Sequence, residues 1–224
     1  MKNYFILVVS VVLFLSCKDK TAESFYPSVL FKSSQPDNVS EMNHFPREYR
    51  GLYMSSDSNF IRILKDKILE EEVHSFAIHK NELDSIKEEF VIYKDKYISK
   101  ISKDTFKIKN FKDSILFANK RVDTFFIFSA SNKLKKIRNH LVISVKDSIF
   151  WEVKTLTLDK NSLLIKYIGG NENDIEKLDS ITKIKSKMLS DSSGYIVQPT
   201  KKEFKNYLNK YSNEYQSKFN RIYE

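Results

Sequence analysis

Between Phe45 and about residue 168, short apolar runs are separated by polar turns every 8 to 15 residues, and several runs are apolar only at every second position. Successive side chains of a strand point to opposite faces, so a period of two commits these segments to strands with one face in a core. Leu141, Ile143 and Val145 line one face, with Ser144 and Lys146 on the other; Phe106 and Ile108 alternate with Lys107 and Lys109; Leu163, Ile165 and Tyr167 alternate against Lys166. Phe125-Phe126-Ile127-Phe128 is apolar on both faces and is expected at a central position or with its outer face covered. Trp151 and Val153 are out of phase with Leu156 and Leu158, which predicts a bulge near Lys154-Thr155. The turn spacing is that of an antiparallel meander. Lys-Asp-Ser-Ile stands at 112–115 and again at 146–149, but the flanks do not match, so it reads as one turn chemistry used twice.

After Gly169-Gly170 the pattern changes. Ile175, Leu178 and Ile181 have helical spacing, Ile184 and Met188 suit a following strand, and Tyr195-Ile196-Val197 reads as a final strand before Pro199. Thr200-Lys201-Lys202-Glu203 is a capping-box pattern. Phe204, Tyr207, Leu208, Tyr211 and Tyr215 then follow at helical spacing, so an amphipathic helix is expected over about 200–215, packed on the sheet through that stripe. The expectation is one mainly β domain over 46–224, an antiparallel, barrel-like sheet with this C-terminal helix.

The opening of the chain concerns address rather than fold. Lys2 precedes an apolar stretch of twelve residues, Tyr4 to Leu15, interrupted only by Ser10 and ending at Ser16-Cys17. Roughly twenty residues are needed to cross a bilayer as a helix, so this length suits the core of a secretory signal. Phe14-Leu15-Ser16-Cys17 resembles the lipobox of bacterial lipoproteins of the Bacteroidota type, with Phe14 where Leu is usual. The resemblance implies removal of residues 1–16, lipidation of Cys17, and a place in the cell envelope, at the outer membrane. Cys17 is the only cysteine, so no disulfide or thiolate metal site can form within the chain. Each buried methylene contributes about 0.8 kcal/mol, and two or three acyl chains give stable attachment. Residues 17–45 lack a sustained apolar period and are expected to form a flexible tether, with an apolar island at Phe25 to Phe31 that docks back on the domain. The layout of signal, tether, meander and helix also resembles small lipocalin-like lipoproteins, which implies a barrel able to hold one apolar ligand.

The formal charge of +9 falls by one when Lys2 leaves with the signal, and most of it is lysine interleaved with Asp and Glu. That balance can attract nucleic acid, anionic headgroups or acidic glycans, but an exported, tethered chain without a recognition motif is not expected to bind nucleic acid. The ordinary reading of the lysines is a solvated surface. His44, His74, His79 and His140 have no metal-ligand spacing, and four glycines leave little material for a phosphate loop, so neither metal nor cofactor is expected. Glu70-Glu71-Glu72 is the densest acidic cluster and reads as a solvated edge that discourages strand aggregation. Trp151, beside Glu152, is the one ligand-binding candidate, weighed against simple burial of the ring. The leading expectation is a non-enzymatic envelope lipoprotein that binds a small apolar ligand or serves as an accessory protein. The alternative is a protein-interaction module, an immunity, inhibitor or assembly protein, followed by an envelope hydrolase. The partners expected are therefore the membrane, through the lipid anchor, and an apolar small molecule or another envelope protein.

Overall fold

The computed structural model describes residues 28–93, 96–171, 173–211 and 213–222. The signal segment, the lipobox and Cys17 lie outside the described residues. The strands are β1 (Ser28–Phe31), β2 (Glu41–Met42), β3 (Gly51–Met54), β4 (Phe60–Ile63), β5 (Lys67–His79), β6 (Phe90–Tyr93), β7 (Lys96–Ser99), β8 (Thr105–Phe111), β9 (Ser114–Ile127), β10 (Asn132–Ile137), β11 (His140–Asp147), β12 (Phe150–Asp159), β13 (Ser162–Ile168), β14 (Lys187–Met188), β15 (Gly194–Val197) and β16 (Ser217–Ile222). Helical segments are the single turn α1 (Leu83–Ile86), α2 (Asp174–Ile181) and α3 (Lys201–Lys210).

All strands belong to one sheet, antiparallel except for the pairing of β1 with β15. A path β2-β10-β11-β12-β13-β16-β3-β4-β5-β9 wraps around a core of Phe45, Tyr53, Ile61, Ile63, Ile68, Phe126, Leu134, Leu141, Leu156, Leu163 and Phe219. The expected barrel is not formed. β9 and β10 follow one another in the chain but share no ladder, and the sheet stays open. Nor is the interior hollow: Phe45, Tyr53, Phe126, Ile61, Ile63, Ile68, Leu134 and Leu141 are all essentially fully buried there. Large aromatic and branched side chains from the strands of this path meet in the middle and leave no lipocalin-like cup.

The strands β10 to β13 carry a second core on their other face. Val142, Val153 and Ile168 point away from the first core, toward Phe31, Leu178, Phe204, Tyr207 and Leu208. This corrects two expectations. β12 is regular against both β11 and β13, with no bulge at Lys154-Thr155; the phase switch arises because Val153 serves one core and Leu156 and Leu158 the other. Likewise β11 and β13 have no wet face over their central residues, since Val142, Ser144 and Lys166 are buried beneath the covering elements. Lys166 is tolerated there because its ammonium donates to Glu214 Oε2 at 3.1 Å and lies 4.8 Å from the centre of the Tyr207 ring.

The capping box on α3 forms as expected, with Thr200 Oγ1 accepting from the Glu203 amide and Glu203 Oε2 accepting from the Thr200 amide at 2.8 Å. The helix is shorter than 200–215 and is not the terminal element. It ends at Lys210, and the chain returns as β16 between β13 and β3, burying Phe219 in the first core. A single inward phenylalanine among Lys218, Asn220 and Arg221 gave this strand little signature.

Residues 28–45 belong to the folded body, which corrects the proposed extent of the tether. Val29 and Phe31 are buried, β1 pairs with β12 and β15, and Gln35 is held by its amide to Ser144 Oγ at 3.0 Å. Lys135 donates to the carbonyls of Ser34 and Pro36 at 2.8 and 3.0 Å, fixing the following loop. Two glycines make room for β1. A Cβ on Gly194 would lie 2.6 Å from Ser28 Oγ, and one on Gly169, whose φ is +106°, would lie 2.7 Å from Val29 Cβ. Gly169→Ala is therefore expected to cost about 1–3 kcal/mol through overpacking and backbone strain. In limited proteolysis it should expose the 28–45 segment first; equal resistance of variant and wild type would contradict the docking of β1.

Candidate functional site

β5 and β9 are the longest strands and outrun their neighbours. β4 pairs with β5 only up to Glu71, and β8 pairs with β9 only from Ser114 to Ala118, so between these limits the sheet narrows to a two-stranded ribbon. Beyond the ribbon, β6, β7 and β8 widen it again into a distal lobe. One face of the lobe is a third core, in which Phe117 is surrounded by Phe76, Phe90, Tyr97 and Phe106 and covered by Leu83 and Ile86 of the α1 turn. Isolated ribbons are marginal, and this aromatic cluster holds the far end together.

The opposite face of the lobe is bare. The register places Lys96 of β7 directly across from Lys107 of β8, and Lys107 across from Ala118 of β9. Residues directly opposed in an antiparallel pair have their Cβ atoms about 4.5–5.5 Å apart, and like charges so placed repel. Neither ammonium has a carboxylate partner among the described residues. Beside this pair, where β8 splays from β9, a groove of about 490 Å³ is lined by Lys96, Lys103, Lys107, Lys120 and Arg121 against the one carboxylate of Asp104. Lys120 and Arg121 are already ion-paired, with Glu71 at 2.7 Å and Asp123 at 2.8 Å. Lys103 donates to the Lys100 carbonyl. The cations of the groove without a carboxylate partner among the described residues are thus Lys96, Lys103 and Lys107.

Glu71 has a structural task rather than the edge role expected of the acidic cluster. β5 lies inside the sheet between β4 and β9, and Glu71 is buried, taking hydrogen bonds from Arg62 at 2.9 Å and from Lys120. Burial alone would raise its carboxyl, but the hydrogen bonds and charges of Lys120 and Arg62 outweigh burial and hold it below its ordinary range.

Trp151 is half-buried against the second core, opposite Phe31 on one side and Lys146 on the other, with the Lys146 ammonium 5.8 Å from its ring centre. It lines none of the surface depressions described in this section. The histidines are dispersed: His44 is exposed, His74 and His79 lie on opposite faces of β5, and His140 is buried against Thr157 Oγ1 at 2.7 Å. No group of three metal-ligating side chains occurs among the described residues. A buried polar knot lies beneath α3, where Tyr207 donates to Asp174 Oδ1 at 3.1 Å and Asp174 Oδ2 takes the Gly169 and Asn171 amides. Burial, with Asp174 alongside, pushes the Tyr207 hydroxyl far above its ordinary range. All of these contacts join α2 and α3 to the sheet. A second basic depression is lined by Arg47, Arg50 and Lys65, with the Arg50 guanidinium donating to the Phe45 carbonyl at 2.8 Å.

No protein-family model, curated protein or solved structure matches the chain. No helix among the described residues is long and apolar enough to cross a membrane.

The lysines of the groove were not singled out in the sequence. Lys107 and Lys109 were legible as one face of a strand, but their alignment with Lys96 depends on cross-strand register. Lys107→Glu converts a repulsive cross-strand pair into an attractive one and is expected to stabilise the protein by about 0.2–1 kcal/mol. Chemical denaturation measures this, and a loss of stability in the variant would mean that Lys96 and Lys107 do not face one another as described.

Proposed function

We propose that the protein is a lipid-anchored interaction module of the cell envelope, held at the outer membrane through acylated Cys17, which docks an acidic partner protein on the bare face of its distal lobe. The observation that carries this reading is the directly opposed Lys96–Lys107 pair beside a basic groove. A local rule of sheet design is broken there without a compensating carboxylate among the described residues, and such departures concentrate at functional sites. Electrostatic complementarity of this kind speeds encounter and selects partners. The rival reading, an apolar ligand carried inside a barrel, has no supporting observation in an open sheet whose core is filled.

The test places a photo-crosslinking side chain at Thr105 in the lipidated protein in its native envelope, with a matching control at Glu176 on α2. Crosslinks to an acidic protein are expected from Thr105 only, weakening as salt rises and absent when Lys96→Glu and Lys107→Glu are introduced together. Recovery of a bound lipid from the purified protein, with no groove-dependent crosslink, would favour the ligand-carrying alternative instead.

A further inference from the structure

The groove also contains an unpaired strand edge. β9 pairs with β5 along its whole length, but on its other side the ladder to β8 stops at Ala118, and Lys120, Arg121, Val122, Asp123 and Thr124 are exposed. Apart from the ladder to β5, no backbone hydrogen bond reaches this stretch among the described residues. An open edge offers alternate amides and carbonyls to any extended chain, and folded proteins commonly block such edges with charge, proline or a bulge. Here the basic residues of the stretch, Lys120 and Arg121, are held in ion pairs with Glu71 and Asp123, and the bulge of β9 comes later, opposite the Ile68–Leu69 step.

Resting on the docking role proposed above, we infer that the partner contributes an extended acidic segment that adds to the sheet as a strand along β9 at Arg121–Thr124, in line with β8, with its carboxylates at Lys96, Lys103 and Lys107. Strand addition draws affinity from main-chain hydrogen bonds and specificity from alternate side chains. The guest's backbone takes the place β8 vacates when it turns away at Thr105. Its carboxylates supply the counter-charge that the opposed lysines lack among the described residues, so the two features of the groove are answered by one ligand. An anion without an amide backbone would answer only the second.

The test uses the full soluble domain and two short synthetic peptides of equal charge, alternating Thr and Val and ending in a run of Glu, one of them N-methylated at alternate residues. Binding of the unmodified peptide is expected, with at least about a tenfold loss on N-methylation and a loss on combining Lys96→Glu with Lys107→Glu. Hydrogen exchange should slow at those amides of Arg121–Thr124 that face away from β5. Equal affinity of the two peptides without slowed exchange overturns strand addition while leaving anion docking intact. Binding of phosphatidylglycerol vesicles or inorganic phosphate, with no peptide binding at millimolar concentration, overturns the peptide as occupant. If the crosslink at Thr105 is also unaffected by the two charge reversals, the docking role itself fails.

Discussion

Burial of β11, β12 and β13 on both faces is the constraint on which the rest of the structure depends. A sheet with apolar residues on one side needs one cover; these strands need two, because Leu141, Leu156 and Leu163 face inward while Val142, Val153 and Ile168 face outward. The inner demand is met by curling the sheet around Phe45, Tyr53 and Phe126. The outer demand is met by α2, α3 and β1, which share one core and are locked to it by the Tyr207–Asp174 hydrogen bond and the Lys166–Glu214–Lys177 network. The charges taken into that region are paired or hydrogen-bonded, Lys166 with Glu214 and Asp174 with the Tyr207 hydroxyl and two amides. The domain is therefore a three-layered body and not a vessel.

The distal lobe follows different rules. It is attached by two strands, stabilised by one aromatic cluster, and covered on one face only. Its other face combines exposed Val91 and Phe111 with the opposed lysines and the free edge of β9. In the body the buried charges are paired or hydrogen-bonded; in the lobe the opposed lysines have no carboxylate partner among the described residues. That contrast within one sheet directs attention to the lobe as the working end of the molecule.

Much of the architecture was legible in the residues themselves. Period two located β8, β11 and β13, the run at 125–128 marked the inward Phe126, and Thr200 with Glu203 fixed the start of α3. Alternation reports which residues share a face but not what covers the other face, so Ser144 and Lys166 looked wet while lying under the second core. The phase switch in β12 was a true signal with a different cause: two cores rather than a bulge. β1 and β16 were missed as sheet members because each is short and contributes few inward side chains, and their places depend on close approaches at Gly169 and Gly194 or on a vacancy between β13 and β3. The groove was invisible for a related reason. Lys96, Lys107 and Lys120 are ordinary surface lysines until three separate registers bring them to one place.

The central claim, that the opposed lysines of the lobe are occupied by an acidic partner where the protein works, is most directly tested by lysine-reactivity footprinting in the intact envelope and on the purified domain. Occupancy predicts that Lys96, Lys103 and Lys107 react more slowly in the envelope, while the exposed Lys201 and Lys202 of α3 react equally in both settings. Unchanged reactivity at all five positions would contradict it.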